Sequence, residues 1–449
     1  MLDERDPGAT APPRRLRPAA PALGRGPGTG DDRLCERDAE AHIARVCFTA
    51  GTPERVGVEL EWLIRDARDP TRPVPPATLD AALAPLTAPG ALPGGSTLTR
   101  EPGGQVELSS RPAPDLATCV RDAAADCERL RAALADAGLG PVGSGLEPER
   151  LQPRVLDSPR YRAMEDYFDR QGVAGRVMMR ATASVQVCVD AGDDTDGPSG
   201  YRHRWQLAHR LGPVLVAAFA NSALWRGRPT GWRSTRQAVW TRIDPSRTRP
   251  ALRERPGHEQ ADGDPRAAWT RYALDAPLLC VRRTPPAAWS APPGRSFRSW
   301  LRGPYGERPR LADLDYHLST LFPPVRPRGW LELRMIDTQP GDGWAVPLAV
   351  VRTLLDDPAA AEAAHLATEP LTGGGPLPRA DLWLRAARHG PADPLLGPAV
   401  LACLAAAESA LARRPADAPL RRAVGAFAAR YAERGRCPAD DQLDAAARS

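Results

Sequence analysis

The sequence predicts an α+β fold in which a sheet is flanked by helices. Four short segments alternate apolar and polar residues, as half-buried strands do. Longer segments carry the apolar period of amphipathic helices, and the last hundred residues alternate Ala/Leu-rich stretches with Pro and Gly. Strands interleaved with long helices indicate a single α+β architecture with a helical C-terminal region.

The predicted elements lie between a leader and a helical tail. Residues 1–38 are rich in Pro, Gly, Arg and Ala without periodicity, which predicts a disordered leader. Residues 39–449 are predicted to form one domain, with residues 340–449 mostly helical. The predicted strands cover residues 56–64, 105–110, 176–190 and 330–337. The predicted helices cover residues 39–47, 115–137, with Asp115 as N-cap, and 201–224, and the polar segment 246–270 is predicted to be a loop.

The composition excludes two kinds of site. The chain has 449 residues and no lysine, so all 60 basic residues are arginine. A P-loop needs a lysine that reaches the nucleotide phosphates, and Schiff-base catalysis needs a lysine amine, so neither is present. Any phosphate must therefore be bound by arginine, by backbone amides or through a metal ion.

The net charge and the spacing of the cysteines limit the binding partners and the cellular compartment that we expect. The net charge of +5 is small for this length and is not gathered into a basic block, which disfavours nucleic acid. No apolar run is long enough to span a bilayer, and the N-terminus has no apolar signal segment. The eight cysteines form no C-x-x-C pair. We therefore expect free thiols in the cytoplasm and no membrane partner.

Acidic side chains collect on one face of the predicted strands. Because side chains alternate across a strand, Glu59 and Glu61 share the polar face of the first strand. The corresponding faces of the other three strands carry Glu107, Gln186, Glu332, Arg334 and Ile336. Leu331, Leu333 and Met335 of the last strand are predicted to face the core.

Two explanations of these acidic faces remain open. An antiparallel sheet with one solvated face is the commoner arrangement for any single strand. It accounts poorly for Glu59 and Glu61, since adjacent carboxylates repel each other unless a cation lies nearby. If the four polar faces line one concavity, three or four carboxylates converge there. Oxygen ligands of this kind favour Mg²⁺ or Mn²⁺ over zinc.

Five segments between Val56 and Asp337 resemble, in the same order, motifs of the glutamate–cysteine ligase family 2. They are GVELEW (57–62), REPGGQVELS (100–109), ATASVQVCVD (181–190), ANSALWRGRPTGWRSTRQAVW (220–240) and HLSTLFPPVRPRGWLELRMID (317–337). The composition resembles the actinobacterial branch, which supplies γ-glutamylcysteine for ergothioneine. The resemblance implies a glutamine-synthetase-like fold, in which a curved antiparallel sheet forms a funnel that binds metals, ATP and amino acids.

The resemblance also assigns roles to individual positions. The implied Mg²⁺ ligands are Glu59, Glu61, Glu101, Glu107 and Glu332. The implied catalytic residues are Arg334, which contacts phosphate, with Glu332 and Glu59. The implied substrate-binding residues are Gln186, Arg236, Trp240 and Arg326. The remaining predictions are that Cys188 and His317 are structural and that Arg247, Arg282 and Arg283 are solvated.

The implied reaction uses ATP and Mg²⁺ to join the γ-carboxylate of L-glutamate to the amino group of L-cysteine. The expected intermediate is γ-glutamyl phosphate, and the product γ-glutamylcysteine would serve the synthesis of ergothioneine or another small thiol. Three alternatives remain: a ligase for another amine, a non-catalytic relative that binds amino acids or nucleotides, and a metal-dependent hydrolase. The sequence gives no oligomeric state.

Overall fold

The computed structural model describes residues 34–251, 264–284, 286–303 and 308–448. Most of the predicted leader lies outside these residues. The first helix begins at Glu36, two residues before the predicted end of the leader, because Cys35 accepts a hydrogen bond from the Asp38 amide and caps it.

Strands and helices are interspersed up to the last strand, and only helices follow it in the described residues. The strands are β1 (Val56–Asp66), β2 (Thr97–Arg100), β3 (Val106–Ser109), β4 (Leu139–Val142), β5 (Ser184–Asp190), β6 (Leu224–Trp225), β7 (Arg228–Pro229), β8 (Val325–Pro327) and β9 (Trp330–Asp337). The helices before β9 are α1 (Glu36–Cys47), α2 (Pro76–Leu83), α3 (Leu116–Asp136), α4 (Pro159–Asp169), α5 (Ala174–Ala181), α6 (Tyr201–Phe219), α7 (Thr235–Trp240), α8 (Pro245–Thr248), α9 (Pro265–Asp275), α10 (Phe297–Arg302) and α11 (Leu311–Leu318). Those after it are α12 (Ala345–Asp356), α13 (Pro358–Thr372), α14 (Asp381–His389), α15 (Leu396–Ala412), α16 (Ala418–Arg430) and α17 (Pro438–Arg448).

The sheet places the predicted polar faces side by side. Seven strands pair in the order β2-β3-β1-β5-β9-β8, with β4 on the far end of β1, and each of these pairings is antiparallel. Glu61 lies opposite Glu107 on β3, and Glu59 lies opposite Gln186 on β5. The predicted antiparallel sheet of an α+β fold is therefore confirmed.

Helices cover the apolar face of the sheet. Helix α6 packs on β9 and α12 packs on β5. Every residue of α6 from Leu207 to Phe219 is buried, and a helix buried on all sides must be surrounded by protein. The C-terminal helices supply part of that surround, since α13, α14 and α15 all contact α6. The helical C-terminal region is thus confirmed.

Three predicted element boundaries are wrong. The third strand begins at Ser184, because residues 174–181 form helix α5, whose buried Met178 and Met179 follow a helical pattern. Helix α6 ends at Phe219, and Leu224 belongs to β6. The predicted loop 246–270 contains most of α8 and the start of α9, while residues 252–263 lie outside the described residues.

A β-bulge in β9 changes the predicted faces of the last strand. Val187 pairs with Leu333 and Val185 pairs with Ile336, so β9 has one residue more than β5 between these pairs. The extra residue reverses the alternation beyond the bulge. Ile336 is consequently buried in the core, and its predicted place beside Glu332 is wrong. Asp337, opposite Ser184, joins the polar face instead.

No single helix of the described residues is both long enough and apolar enough to cross a bilayer. One bent pair, Asp381–Ala392 with Leu396–Ala412, is long and apolar enough in total, although the two segments meet at an angle of 74°.

Candidate functional site

Four glutamates form an acidic recess at the centre of the sheet. Glu59 and Glu61 come from β1, Glu107 comes from β3, and Glu101 follows β2 directly. The turn after β2 packs closely on α5, because Gly103 lies against the Arg180 carbonyl, where a Cβ would come within 2.1 Å of that oxygen. All four side chains keep partial contact with solvent. We call Glu59, Glu61, Glu101 and Glu107 the carboxylate recess.

The recess holds more negative charge than its surroundings neutralise. Burial raises the pKa of Glu59 to about 8, and the negative charges of Glu332 and Glu107 add to the increase. Burial likewise raises the pKa of Glu101 well above its usual range, with further repulsion from Glu107 and Glu61. A positive ion placed here would offset the repulsion.

Hydrogen bonds hold the other two glutamates in place. One Glu61 carboxylate oxygen accepts from the Ser184 amide and hydroxyl, both at 2.9 Å, and the other accepts from Gln186 Nε2 at 2.7 Å. Glu107 Oε1 accepts from the hydroxyls of Thr99 at 3.0 Å and Ser109 at 3.1 Å. Burial still raises the pKa of Glu107, because these hydroxyls are neutral and Glu61 lies nearby.

Three arginines surround Glu332 beside the recess. Glu332 is fully buried, and its Oε1 accepts from Arg334 and, at 2.7 Å, from Arg326. Arg328 lies 3.4 Å from its Oε2. Although burial alone raises a carboxyl pKa, the three guanidinium groups hold the pKa of Glu332 well below its usual range. We call Arg326, Arg328 and Arg334 the arginine cluster, which carries two positive charges in excess of Glu332.

Gln186 connects the recess with the arginine cluster. Its Nε2 donates to Glu61, and its Oε1 accepts from Arg334. The bridge therefore sets an acidic surface directly beside a basic one. A metal-bound polyphosphate has this distribution of charge, with a cation on one side and phosphate oxygens on the other.

The carboxylate oxygens of the recess suit Mg²⁺ better than a metal ion whose ligands all come from the protein. In the described residues no three His, Cys, Asp or Glu side chains are already arranged around one ion. Mg²⁺ needs only one or two carboxylates when waters and phosphates complete its shell. Glu59 and Glu101, whose pKa values mark missing positive charge, suit this role. Glu332 suits it least, because both of its oxygens already face arginines.

A second pocket adjoins the arginine cluster and is rich in unused donors. It is lined by Arg236, Gln237, Trp240, Thr248, Phe322, Pro323, Pro324, Arg334 and Met335. The N–H groups at Nε and Nη1 of Arg236, Nε1 of Trp240 and Nε of Arg334 are buried and have no hydrogen-bond partner in the described structure. Buried donors are normally paired, so these indicate an oxygen-bearing ligand. We call this the donor pocket.

Sequence reasoning missed two charged residues of the site. Arg328 follows Arg326 in the same segment, and its role depends on a turn that returns it to Glu332. Asp337 reached the polar face only through the bulge, and it lies 3.7 Å from Arg236. A third residue, Arg247, was wrongly predicted to be solvated. It is fully buried and donates to Asp244 at 2.9 Å and to the Thr320 carbonyl at 2.8 Å.

Comparison with known proteins agrees with this geometry. The family model described as glutamate-cysteine ligase family 2 matches residues 55–449. The chain belongs to the glutamate–cysteine ligase family 2. This confirms the resemblance seen in the five motifs and the predicted enzyme class.

Named family members cover most of the chain. It is 42% identical over 412 residues to the glutamate–cysteine ligase EgtA of Mycolicibacterium smegmatis, covering 90% of each protein. It is 41% identical over 413 residues to EgtA of Mycobacterium tuberculosis, covering 90% of this chain and 89% of the relative. The chloroplastic glutamate–cysteine ligase of Arabidopsis thaliana is 31% identical over 277 residues, covering 59% of this chain and 50% of the relative.

Solved structures resemble the chain more distantly. Glutamate–cysteine ligase from Francisella tularensis, in complex with AMP, is 11% identical with a TM-score of 0.47, covering 88% of this chain and 85% of that one. A bifunctional glutathione synthetase from Pasteurella multocida is 14% identical, also with a TM-score of 0.47, covering 92% and 52%. Likeness at this level carries no conclusion about the site.

The structure brings together all the site residues predicted for this family member. The acidic strand positions, Gln186 and Arg334 lie on paired strands of one sheet, and Arg326 on β8 contacts Glu332. Glu101 follows β2 near Glu107 and Glu61, and Arg236 and Trp240 line the adjoining donor pocket. Their individual roles in catalysis, metal binding and substrate binding stay predictions.

Proposed function

We propose that this chain uses ATP and Mg²⁺ to join the γ-carboxylate of glutamate to the amino group of cysteine. The observation that carries the proposal is the carboxylate recess beside the arginine cluster, bridged by Gln186. Amide formation from a free carboxylate is unfavourable in water, so the carboxylate must first be activated. Transfer of the ATP γ-phosphoryl group to glutamate gives γ-glutamyl phosphate and ADP. The cysteine amine then displaces phosphate.

The arginine cluster supplies positive charge to the phosphoryl group. Phosphoryl transfer depends on positioning and charge stabilisation more than on a protein nucleophile. Arg334 is fixed on one side by Glu332 and Gln186, while its Nε has no partner and can contact a phosphate oxygen. Glu332 keeps the guanidinium groups gathered and oriented. In this scheme Glu332 acts through the arginines it holds.

The recess supplies the metal site. When bound there, Mg²⁺ would neutralise phosphate oxygens and orient the ATP polyphosphate. Glu59 and Glu101 are the preferred ligands because a cation would stabilise their charged forms, which burial and then the neighbouring carboxylates disfavour. Glu107 and Glu61 are oriented by hydroxyl, amide and glutamine donors and complete the acidic wall.

The donor pocket supplies an amino-acid site. An amino acid presents a carboxylate. The N–H groups at Arg236 Nε and Trp240 Nε1, which have no hydrogen-bond partner in the described structure, match its oxygens. The remaining wall is apolar, formed by residues such as Phe322, Pro324 and Met335. A small uncharged side chain such as that of cysteine fits such a wall better than a charged one does.

Purified protein with glutamate, cysteine, ATP and Mg²⁺ tests the proposal. We expect γ-glutamylcysteine and ADP in equal amounts, and neither product when glutamate is omitted. Product with another amine in preference to cysteine would indicate a different ligase. Turnover without ATP would indicate a hydrolase, and ligand binding without turnover a non-catalytic relative. Each of these three results overturns the proposal.

We further propose that the product serves the synthesis of ergothioneine or a related small thiol. The support is 41–42% identity to the EgtA ligases of two mycobacteria. Deletion of the gene should lower γ-glutamylcysteine and the thiol made from it, and unchanged levels of both would count against this assignment. The cytoplasmic location and the absence of nucleic-acid and membrane partners stay predictions.

A further inference from the structure

Helix α7 contacts the β-bulge of β9 through two consecutive side chains. The bulge places Arg334 and Met335 opposite the single residue Gln186 of β5. A bulge disrupts the strand pairing locally and leaves backbone groups that need other partners. Here the Arg334 carbonyl accepts from Arg236 Nη2 and the Met335 carbonyl accepts from Gln237 Nε2, both at 2.9 Å.

The N-terminus of α7 is attached to the same strand. Ser234 is the N-cap of α7, and its Oγ accepts from the Gln237 amide at 3.2 Å. The same hydroxyl donates to Asp337 Oδ1 at 3.0 Å. Helix α7 is thus joined to β9 at Arg334, Met335 and Asp337, which are the residues of the bulge and its downstream end.

We propose that Gln237 is a positioning residue that holds the bulge and so sets the place of the Arg334 guanidinium. The side chain of Arg334 leaves the strand at the bulge, where its direction depends on the local backbone. Without the Gln237 bond, the Met335 carbonyl loses its amide donor. The backbone that carries Arg334 can then shift within its remaining contacts, which include those with Arg236 and the Pro324 carbonyl. A shift of about 1 Å in a catalytic group lowers rates by roughly 100-fold.

Gln237 differs from the residues already assigned to the site. Arg236 Nε has no hydrogen-bond partner in the described structure and suits a ligand, whereas the Gln237 amide nitrogen donates to the backbone. Gln237 lines the donor pocket, so the same side chain borders the amino-acid site and supports the arginine of the phosphoryl site. The inference rests on the proposed function, since it assigns Arg334 to phosphoryl transfer.

A double-mutant cycle tests the proposal. Gln237→Met keeps the length of the side chain and removes the donor, and Arg334→Lys weakens the residue on which Gln237 acts. We expect Gln237→Met alone to lower kcat roughly 10-fold to 100-fold while KM for each substrate changes less than about twofold. In the Arg334→Lys background the same change should cost less than about twofold, because coupled residues are not additive.

Two results would overturn the inference. One is an equal loss of kcat for Gln237→Met in both backgrounds, which indicates a general effect on the fold. The other is wild-type kcat in Gln237→Met. Gln206→Met is the matched control, because Gln206 Nε2 also donates to a backbone carbonyl, that of Pro376 at 3.2 Å, on α6. It should leave kcat unchanged.

Hydrogen exchange separates this inference from the proposed function. If the wild-type protein fails to ligate glutamate and cysteine, the proposed function fails but the contact can still be measured. Amides of residues 334–337 should then exchange faster in Gln237→Met than in the wild type or in Gln206→Met. Unchanged exchange of these amides would reject the contact itself.

Discussion

Glu59 and Glu332 belong to one polar face, yet their surroundings are opposite. Glu332 is enclosed by three arginines that stabilise its charge, whereas Glu59 is next to other carboxylates that destabilise its charge. Alternation along the strands predicted that both lie on polar faces, and the family resemblance implied that both bind metal. The sequence did not predict which of the two carboxylates is already neutralised by arginine. That depends on Arg326 and Arg328, which the turn before β9 places against Glu332.

Replacement of Glu59 should greatly lower ligase activity without destabilising the fold. Glu59→Gln removes a carboxyl group whose ionisation is opposed by burial and by neighbouring carboxylates, so the protein should unfold at the same temperature or a higher one. Ligase activity should fall roughly 10²-fold to 10³-fold, as for loss of a charged contact in a transition state. Titration with Mn²⁺ followed by electron paramagnetic resonance should show weaker binding. Wild-type Mn²⁺ affinity in this variant would contradict its assignment as a ligand.

Replacement of Glu332 should have the reverse effect on stability. Glu332→Gln leaves the buried guanidinium groups of Arg326 and Arg334 without their counter-charge. Breaking a buried ion pair from one side costs about 3–5 kcal/mol of unfolding free energy, measurable by urea denaturation. Mn²⁺ binding should persist in whatever fraction remains folded. A stable variant that loses Mn²⁺ would show instead that Glu332 is a metal ligand.

At the scale of single elements, residue alternation predicts the faces of regular strands but not those of a bulged strand. The period-two alternation of β1 and β3 correctly placed Glu59, Glu61 and Glu107 on one face, because both strands are regular where they pair. In β9 the same rule failed beyond Arg334. A bulge is set by the partner strand and by α7, and neither is visible in the sequence of β9 itself. Helix α5 was missed for a related reason, since its short apolar run also fits a strand.

Two buried histidines should make stability depend on pH. His317 on α11 faces the Ala273 carbonyl of α9, and burial lowers its pKa to about 3. His209 lies within α6 near the Trp205 carbonyl, and burial lowers its pKa to about 4. Both are neutral in the folded protein at pH 5, while in the unfolded chain they are protonated below about pH 6.5. Stability is therefore lost as pH falls below 6.5, by about 2 kcal/mol per histidine at pH 5.

The variant His317→Gln isolates one of these contributions. Its amide can donate to the Ala273 carbonyl but cannot be protonated. The loss of unfolding free energy between pH 7 and pH 5 should then be about 2 kcal/mol smaller than in the wild type. His389→Gln, which changes an exposed histidine, should leave the loss unchanged. An equal pH dependence in all three proteins would show that His317 titrates normally.

At the scale of the whole molecule, the sequence predicted which elements exist better than it predicted what holds them together. The sheet, its polar face and the helical C-terminal region follow from periodicity, which is local. The hydrogen bonds that hold Asp337 do not follow from periodicity. Its carboxylate accepts from the Asn221 backbone amide at 2.9 Å and from the Ser222 hydroxyl at 2.7 Å, and both residues are more than a hundred positions away. Such pairs depend on the complete fold. The motifs at residues 220–240 and 317–337 contain these residues, but a motif does not show which side chains pair.

The C-terminal helix should contribute to the site from the end of the chain. Gln442 of α17 donates to the Asn221 carbonyl at 3.0 Å and accepts from the Ala223 amide at 2.8 Å, so α17 fixes the segment that supports Asp337. Gln442→Leu should cost about 1–3 kcal/mol of unfolding free energy, because the Ala223 amide loses its partner, although the Asn221 carbonyl keeps the Gly145 amide as a donor. It should also lower kcat, since Asp337 lies 3.7 Å from Arg236.

A matched surface variant distinguishes this support from a general role of α17. Arg430→Ala removes an exposed ion pair between the end of α16 and Asp441 of α17, and surface pairs of this kind have little effect on stability. It should therefore leave kcat and the urea midpoint unchanged. If Gln442→Leu lowered stability and left kcat intact, α17 would stabilise the fold without reaching the site. If both variants lowered kcat equally, the effect would belong to the attachment of the helix as a whole rather than to the contact between Gln442 and Asn221.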